Sequence, residues 1–268
     1  MNLRKKYKMD KYKEFYDDNR SNQYGENYTL KQATEHESYT VLLDFIENNN
    51  LKDKKCLEIG SSGGGFQDMV DDYYGTDIAE SLMKYYHKPY RVANGQKYPF
   101  KDNLFDAIWS LHVYEHIPHL QKAMLEIKRL VKKDGYVLFS PAWQSRPWAA
   151  QGYEVRPYSD FNFKGKLIKV IIPIRNSIIW RSLFILPKRI FRTLLFNIGY
   201  TFTNIKYKKL EANYETYWVP DSDACNSIDP HDAILWFESH GFKCLSHPLY
   251  KKALLVRNGA LVFKKVND

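Results

Sequence analysis

Two carboxylates, Glu58 and Asp77, stand at the ends of short apolar runs on either side of a glycine-rich turn, Gly60-Ser61-Ser62-Gly63-Gly64-Gly65. Glycine lets the chain turn sharply and brings bare backbone up to a ligand where side chains would collide. Asp77 follows Gly60 by seventeen residues, a spacing at which a carboxylate accepts both hydroxyls of a ribose. Glu58 sets the sign of the ligand's charge. Placed before the first glycine, it repels a pyrophosphate and favours a cationic or ammonium-bearing group. A second cluster, His112-Val113-Tyr114-Glu115-His116, offers imidazoles suited to proton transfer near neutral pH, with a carboxylate to orient them. Its His-x-x-Glu-His spacing is also that of an inverted zinc-protease helix. That reading is rejected, because the residues follow directly on an apolar run that reads as a strand.

These groups need a scaffold that delivers them to one edge. Short apolar runs predict strands at 55–59, 73–76, 90–93, 105–110 and 135–140, with two more at 242–247 and 259–264. A helix is predicted over 119–132, with Leu120, Met124, Ile127, Leu130 and Val131 on one face and Asp134-Gly135 as its stop. Another lies within 31–50, carrying Tyr39, Leu42, Leu43, Phe45 and Ile46 and ending at Asn48-Asn49-Asn50, and a third spans 230–240. The alternation predicts an α/β fold, a Rossmann-like doubly wound sheet of about seven strands. Ligands of such a sheet sit beyond the carboxyl ends of the strands, where Glu58, Asp77, Asn94 and residues 110–116 all fall.

From Leu57-Glu58-Ile59-Gly60, Gly75-Thr76-Asp77, Tyr98-Pro99-Phe100, Phe105-Asp106 and Glu115-His116, in that order, residues 50–141 resemble the class I S-adenosylmethionine-dependent methyltransferases. The subfamily pattern is Leu-Glu-Ile-Gly-x-Gly-x-Gly, Gly-x-Asp, Leu-Pro-Phe, Phe-Asp, Glu-His and Pro-Gly-Gly; Lys133-Asp134-Gly135 stands at the last place. The resemblance implies S-adenosylmethionine as cofactor, whose sulfonium and amine suit Glu58. It implies a cofactor site of Glu58, Gly60, Ser61, Ser62, Gly64, Phe66, Asp77, Ile78, Asn94, Gly95, Ser110 and Leu111. This chain departs from the pattern at Ser62, where the middle glycine stands, and at Asn94, where an Asp is usual on the adenine side. The carbonyl of Asn94 still accepts a hydrogen bond from an exocyclic amine.

The same resemblance makes the loop after the fourth run the methyl-transfer face, with His112, Glu115 and His116 as catalytic candidates and His112 as the expected base. His119, at a helix start, is expected to serve structure, and Glu115 and His116 have an alternative role in capping the helix after Pro118. The ubiquinone-pathway O-methyltransferases have Glu-x-x-Glu-His here and bind a metal. His112 replaces the first Glu, and no metal is expected.

A length of 268 residues with 44% apolar content suits one sizeable domain with an elaboration. The expected organisation is an N-terminal arm (1–30), a cofactor-binding core (31–141), a basic amphipathic insertion or acceptor lid (142–228), and a C-terminal helix and strands completing the core (229–268). Eleven of the 40 Lys and Arg lie between Phe161 and Leu210, where there is no Asp or Glu. The other 29 fall short of the 31 acidic residues, so the entire positive excess resides in this insertion. It is also apolar, with runs of Ile, Leu and Phe divided by Pro173 and Pro187, which are expected to break it into short helices. No uncharged run reaches the roughly 20 residues that cross a bilayer. The expectation is docking on an anionic membrane surface through residues 164–209, against a packed lid or dimer contact, and against a nucleic-acid surface, which the apolar density disfavours.

Trp143, Arg146, Tyr153 and Arg156 form an expected acceptor platform, since aromatic faces stack on sugar rings and Arg grips anions. Asp221 and Asp223 are further hydroxyl acceptors, while Asp229 is expected to cap the helix at Pro230. Cys56, Cys225 and Cys244 are odd in number with no metal-like spacing, which fits a reducing compartment. With no apolar segment suited to a secretory signal at the N-terminus, the expected location is cytoplasmic, peripheral on the inner face of the membrane. The expected activity is O-methylation of a small-molecule or glycan acceptor, a sugar or polyhydroxyl, in bacterial surface-glycan or lipid-linked glycan synthesis. The alternatives are an aromatic or quinone-like lipid acceptor, a non-enzymatic membrane-associated binding protein with a relic cofactor site and, behind both, a dehydrogenase.

Overall fold

The computed structural model describes residues 12–17, 28–248 and 250–267. Most of the arm expected at 1–30 lies outside them. Five strands, β1 (Lys55–Ile59), β2 (Asp72–Asp77), β3 (Tyr90–Val92), β4 (Phe105–Leu111) and β5 (Val131–Ser140), pair in parallel in the order β3-β2-β1-β4-β5. A short antiparallel pair, β6 (Tyr207–Lys209) and β7 (Asn226–Ile228), forms a second sheet. The chain then returns to the main sheet through β8 (Phe242–Cys244) and β9 (Leu261–Lys265). β9 runs antiparallel between β5 and β8 and completes seven strands.

Helices cover both faces, which is why β1 and β4 read as nearly unbroken apolar runs. On one face Leu57, Ile59, Ile108 and Phe139 pack under α2 (Leu120–Leu130) and a helix at Pro230–Ser239. On the other, Cys56, Ala107, Trp109 and Leu138 pack under α1 (Tyr39–Asn48) through Leu42, Phe45 and Ile46. The order reverses between β1 and β4. A crevice therefore opens past their carboxyl ends, as in other sheets of this kind.

Several boundaries differ from the sequence expectation, each for a local reason. The stretch expected to be helical within 31–50 splits into a 3-10 turn, Leu30–Glu35, and α1, with Ser38 N–H donating to His36 Nδ1 between them. α2 stops at Leu130, and β5 starts at once at Val131 rather than at Gly135. Val131 pairs with Phe105 before a register shift, and Asp134 takes up the extra length at φ 63°. Strand β8 is shorter than its apolar run, since Leu245 and Ser246 both donate to the carbonyl of Val262.

Neither proline breaks the insertion where expected. α3 (Phe163–Asn176) carries Pro173 inside it, and the break comes at Ser177, whose hydroxyl accepts from Trp180 N–H and caps the next helix. That helix, α4 (Ile178–Asn197), runs on through Pro187 because a π turn at Arg181–Ile185 precedes it and absorbs the missing donor. The last helices are α5 (Pro230–Ser239) and α6 (Tyr250–Leu255). Asp229 caps α5 as expected, accepting from His231 N–H at 2.9 Å.

Candidate active site

A cavity of about 690 Å³ opens at the carboxyl ends of β1 to β4, within the range of small-molecule sites. Its floor is the glycine-rich turn. The amides of Gly60 and Ser61 both donate to the carbonyl of Thr76, tying the turn to the end of β2. Gly60 sits at φ 71°, and a Cβ built there would lie 2.2 Å from Val113. Only glycine meets both conditions. Gly60→Ala is therefore expected to cost about 2 kcal/mol of stability by urea unfolding, from left-handed strain and overpacking against a stiff valine. Ser62, where the sequence departs from the glycine pattern, holds φ 45° and donates its N–H to Asp77 Oδ2 at 3.0 Å. That bond fastens the turn in a conformation that a Cβ disfavours. The Tyr86 hydroxyl, within 2.7 Å of Ser61 Oγ and 2.8 Å of the Ser62 carbonyl, braces the turn from behind.

Glu58 and Asp77 both line this end of the cavity. Glu58 is buried and accepts from the Tyr73 hydroxyl at 2.5 Å. Burial pushes its carboxyl up to about 8, although the bond from Tyr73 pulls the other way. Asp77 is also raised by burial, against the pull of the amides of Ser62, Ala79 and Ile78. Asn94 and Gly95 close the side beyond β3, with Asn94 Oδ1 accepting from Gln96 N–H. Ser61, Phe66, Ile78 and Leu111 also line the cavity; Gly64 and Ser110 do not. Gly64 shapes the turn at φ 71°, and Ser110 Oγ donates to the carbonyl of Ile59.

The opposite wall carries the histidines. His112, itself at φ 55°, is partly exposed with Nε2 3.3 Å from Glu37. His116 is enclosed by acids. Its Nδ1 lies 3.1 Å from Asp223 and its Nε2 3.7 Å from Glu115. Burial works against its charge, but Asp223, Glu115 and Asp221 outweigh it and hold the imidazolium up to about 9. Asp223 is in turn lowered despite burial, by His116 and by the Tyr16 hydroxyl that donates to it at 2.5 Å. Glu115 is raised by burial, against His116 and the Ala142 amide that donates to it. Glu115, His116 and Asp221 bring three donor atoms within 4.8 Å of one another. His112 is not in that group.

Residues 57–139 match the family described as a methyltransferase domain. This stretch is a methyltransferase domain. The chain is 35% identical over 106 residues to an uncharacterized protein of Methanocaldococcus jannaschii, covering 38% of this chain and 46% of that protein. It is 24% identical over 139 residues to the chloroplastic tocopherol O-methyltransferase of Arabidopsis thaliana, covering 46% of this chain and 39% of the relative. The chain thus spans less than half the length of either curated relative. Among solved structures, a Bacillus halodurans protein described as a methyltransferase superposes with a TM-score of 0.44 at 14% identity, covering 76% of this chain and 69% of that one.

A methyltransferase domain implies S-adenosylmethionine, and the cavity fits it chemically: glycine backbone at its floor, a buried carboxylate at the end of β1 and a partly buried one at the end of β2. Within the methyltransferase domain, Glu58 and the glycine turn, Asp77 and Asn94 converge as the sequence implied. The acceptor platform does not. Trp143 points away, donating Nε1–H to the carbonyl of Gly259 and packing on Phe139. Arg146 pairs with Glu154, while Tyr153 stacks on Phe161 and Arg156 lies over Phe161 and Trp218. None of the four lines the cavity. Their aromatic and guanidinium groups are engaged by Phe139, Glu154, Phe161 and Trp218, away from the cavity.

The acceptor side of the cavity is lined instead by residues that sequence reasoning passed over: Tyr12, Phe15 and Tyr16 from a helical turn at 12–17, His36 and Glu37 before α1, and Tyr217. The tyrosine-rich N-terminal composition was the one available signal. Asp221 and Asp223, singled out earlier, do face the cavity. Asp223→Asn should remove the main support of the buried imidazolium. His116 stabilises the fold fully below its unfolded value near 6.5, and that contribution fades as pH rises through about 9. The variant is expected to lose about 2 kcal/mol at pH 7 and progressively less toward pH 9, measured by urea unfolding across that range.

Proposed function

We propose that this chain transfers a methyl group from S-adenosylmethionine to a hydroxyl of a small acceptor. The observation that carries this reading is the shared cavity: a buried and a partly buried carboxylate at one end and a histidine-lined, aromatic wall at the other. The cofactor supplies a carbon already activated by its sulfonium, so the protein's work is alignment and exclusion of water. Glu58 takes the ammonium and sulfonium end, Asp77 the ribose hydroxyls, and Asn94 with Gly95 the adenine edge. His112, backed by Glu37, removes the acceptor proton. His116 stays protonated at neutral pH and serves as a fixed positive donor beside Asp221 and Asp223.

For the acceptor, a sugar or polyhydroxyl compound of surface-glycan or lipid-linked glycan synthesis is the favoured class. Asp221 and Asp223 at the cavity wall accept from hydroxyls, and Tyr12, Phe15, Tyr16 and Tyr217 offer faces on which a pyranose ring stacks. A second reading, an aromatic or quinone-like lipid acceptor, draws on the same rings and on the likeness to a tocopherol O-methyltransferase. Calorimetry with S-adenosylmethionine and S-adenosylhomocysteine tests the cofactor; no heat with either overturns the reading, and stabilisation by NAD alone would favour a dehydrogenase. Mass spectrometry of glycans and of lipid extracts from cells with and without the protein separates the two acceptor classes by which pool gains one methyl group.

A further inference from the structure

The insertion is built inside out. In a helix on a water-facing surface the apolar stripe turns to the core and the charges turn to solvent. In α4 the buried side chains are Arg189 and Thr193, while Phe191, Leu194 and, just past its end, Ile198 face outward with 53 to 80% of their surface exposed. Arg189 donates to the carbonyls of Leu254 and Val256 and to both oxygens of Asp229. Arg192 pairs with Asp232, and Thr193 Oγ1 lies 2.8 Å from His231 Nε2. α3 repeats the pattern: Gly165 and Ile172 are buried, and Lys169 donates inward to the carbonyls of Tyr153 and Arg156. Phe163, Leu167, Val170 and Ile174, spaced three and four apart, form its exposed stripe. Polar groups fasten both helices to the domain and leave their apolar faces outward.

We infer that α3 and α4 are an interfacial anchor whose exposed stripes lie in the surface of an anionic lipid membrane. Three observations choose this occupant. The 50 residues from Phe161 to Leu210 hold eleven basic and no acidic side chains, and Lys164, Lys166 and Lys188, next to the stripes, have no carboxylate partner among the described residues. Basic residues beside Phe, Leu and Ile are the combination that holds a helix at anionic headgroups. A second copy of the chain would instead set this positive face against itself. Among the described residues no single helix is long and apolar enough to cross a membrane, and the two helices meet at a 71° bend. Since the C-terminal half of α4 is strapped to α5 and α6 through Arg189, Arg192 and Thr193, the pair lies on the bilayer and does not traverse it. The inference is independent of the methyl-transfer reading.

The test is flotation of the full chain with vesicles of phosphatidylcholine alone and of phosphatidylcholine mixed with phosphatidylglycerol. Binding is expected to the anionic vesicles, at least tenfold weaker to neutral ones, and reversed by salt. The pair Phe191→Glu and Ile198→Glu should lower binding at least tenfold with an unchanged melting temperature, because both side chains already face water in the free protein. Lys164→Glu with Lys166→Glu should remove the preference for anionic lipid. The inference is overturned if the wild-type chain floats with neither vesicle, or if the outward variants float as well as it does. It is equally overturned if ultracentrifugation shows a dimer that those variants dissociate, which would make the stripes a protein interface.

Discussion

Glu58→Gln is expected to make the empty protein more stable and its hold on S-adenosylmethionine weaker. Burial holds the Glu58 carboxyl at about 8 in the folded chain, against about 4.3 unfolded. A carboxyl raised by folding binds an extra proton in the native state, so stability falls as pH climbs from the unfolded value to the folded one. Glutamine keeps the acceptor for the Tyr73 hydroxyl and carries no such charge. The variant should match the wild type near pH 4 and exceed it by on the order of 3 kcal/mol at pH 7, measured by urea unfolding at both pH values. Equal differences at the two pH values would refute the assignment.

The binding side runs in the opposite direction. A cationic ligand needs the ionised carboxylate, and its arrival lowers the Glu58 value and expels a proton. Between pH 6 and 7.5, below the titration of an amino group near 8, wild-type affinity should tighten up to tenfold per pH unit. Titration calorimetry at pH 7 in two buffers of different ionisation enthalpy should find about one proton released. The Gln variant should release none and bind about 10- to 100-fold more weakly, the scale of a lost charge-assisted hydrogen bond. Both results together would mark a site that carries a function at the expense of stability.

The cofactor end was legible in the sequence because it is local. Glu58, the glycine turn and Asp77 fall within twenty residues and sit at the tips of adjacent parallel strands, so strand order alone brings them together. The acceptor end was not, since it is assembled from segments far apart in the chain: Tyr16 meets Asp223 across 207 residues, and Glu37 meets His112 from a different segment. Trp143, Arg146, Tyr153 and Arg156 misled for the same reason. Their residue types fit sugar recognition, but type does not reveal that an Arg is already satisfied by Glu154 or by two aromatic faces. The basic insertion was visible as charge and apolar density. Its inversion was not, because a helical stripe looks the same whether it faces in or out, and only Asp229, Asp232 and His231 on α5 decide which.

His112→Ala is expected to lower turnover about a hundredfold, the lower end for removal of a general base, while leaving the S-adenosylmethionine Kd unchanged. Of the three imidazoles lining the cavity, His36 already accepts from Ser38 N–H, and the surroundings of the other two assign opposite roles. His116 lies among Asp223, Glu115 and Asp221, is held protonated up to about 9, and so has no lone pair to take a proton at neutral pH. His112 stands on the cavity wall with one carboxylate, Glu37, 3.3 Å from Nε2, close enough to steady the ring and to stabilise the imidazolium that proton removal creates. Glu37→Gln should cost less, about tenfold in rate, since it removes orientation and not the base. An intact rate in His112→Ala would pass the proton to water or to the acceptor's own acidity, and the cavity would then act through alignment alone.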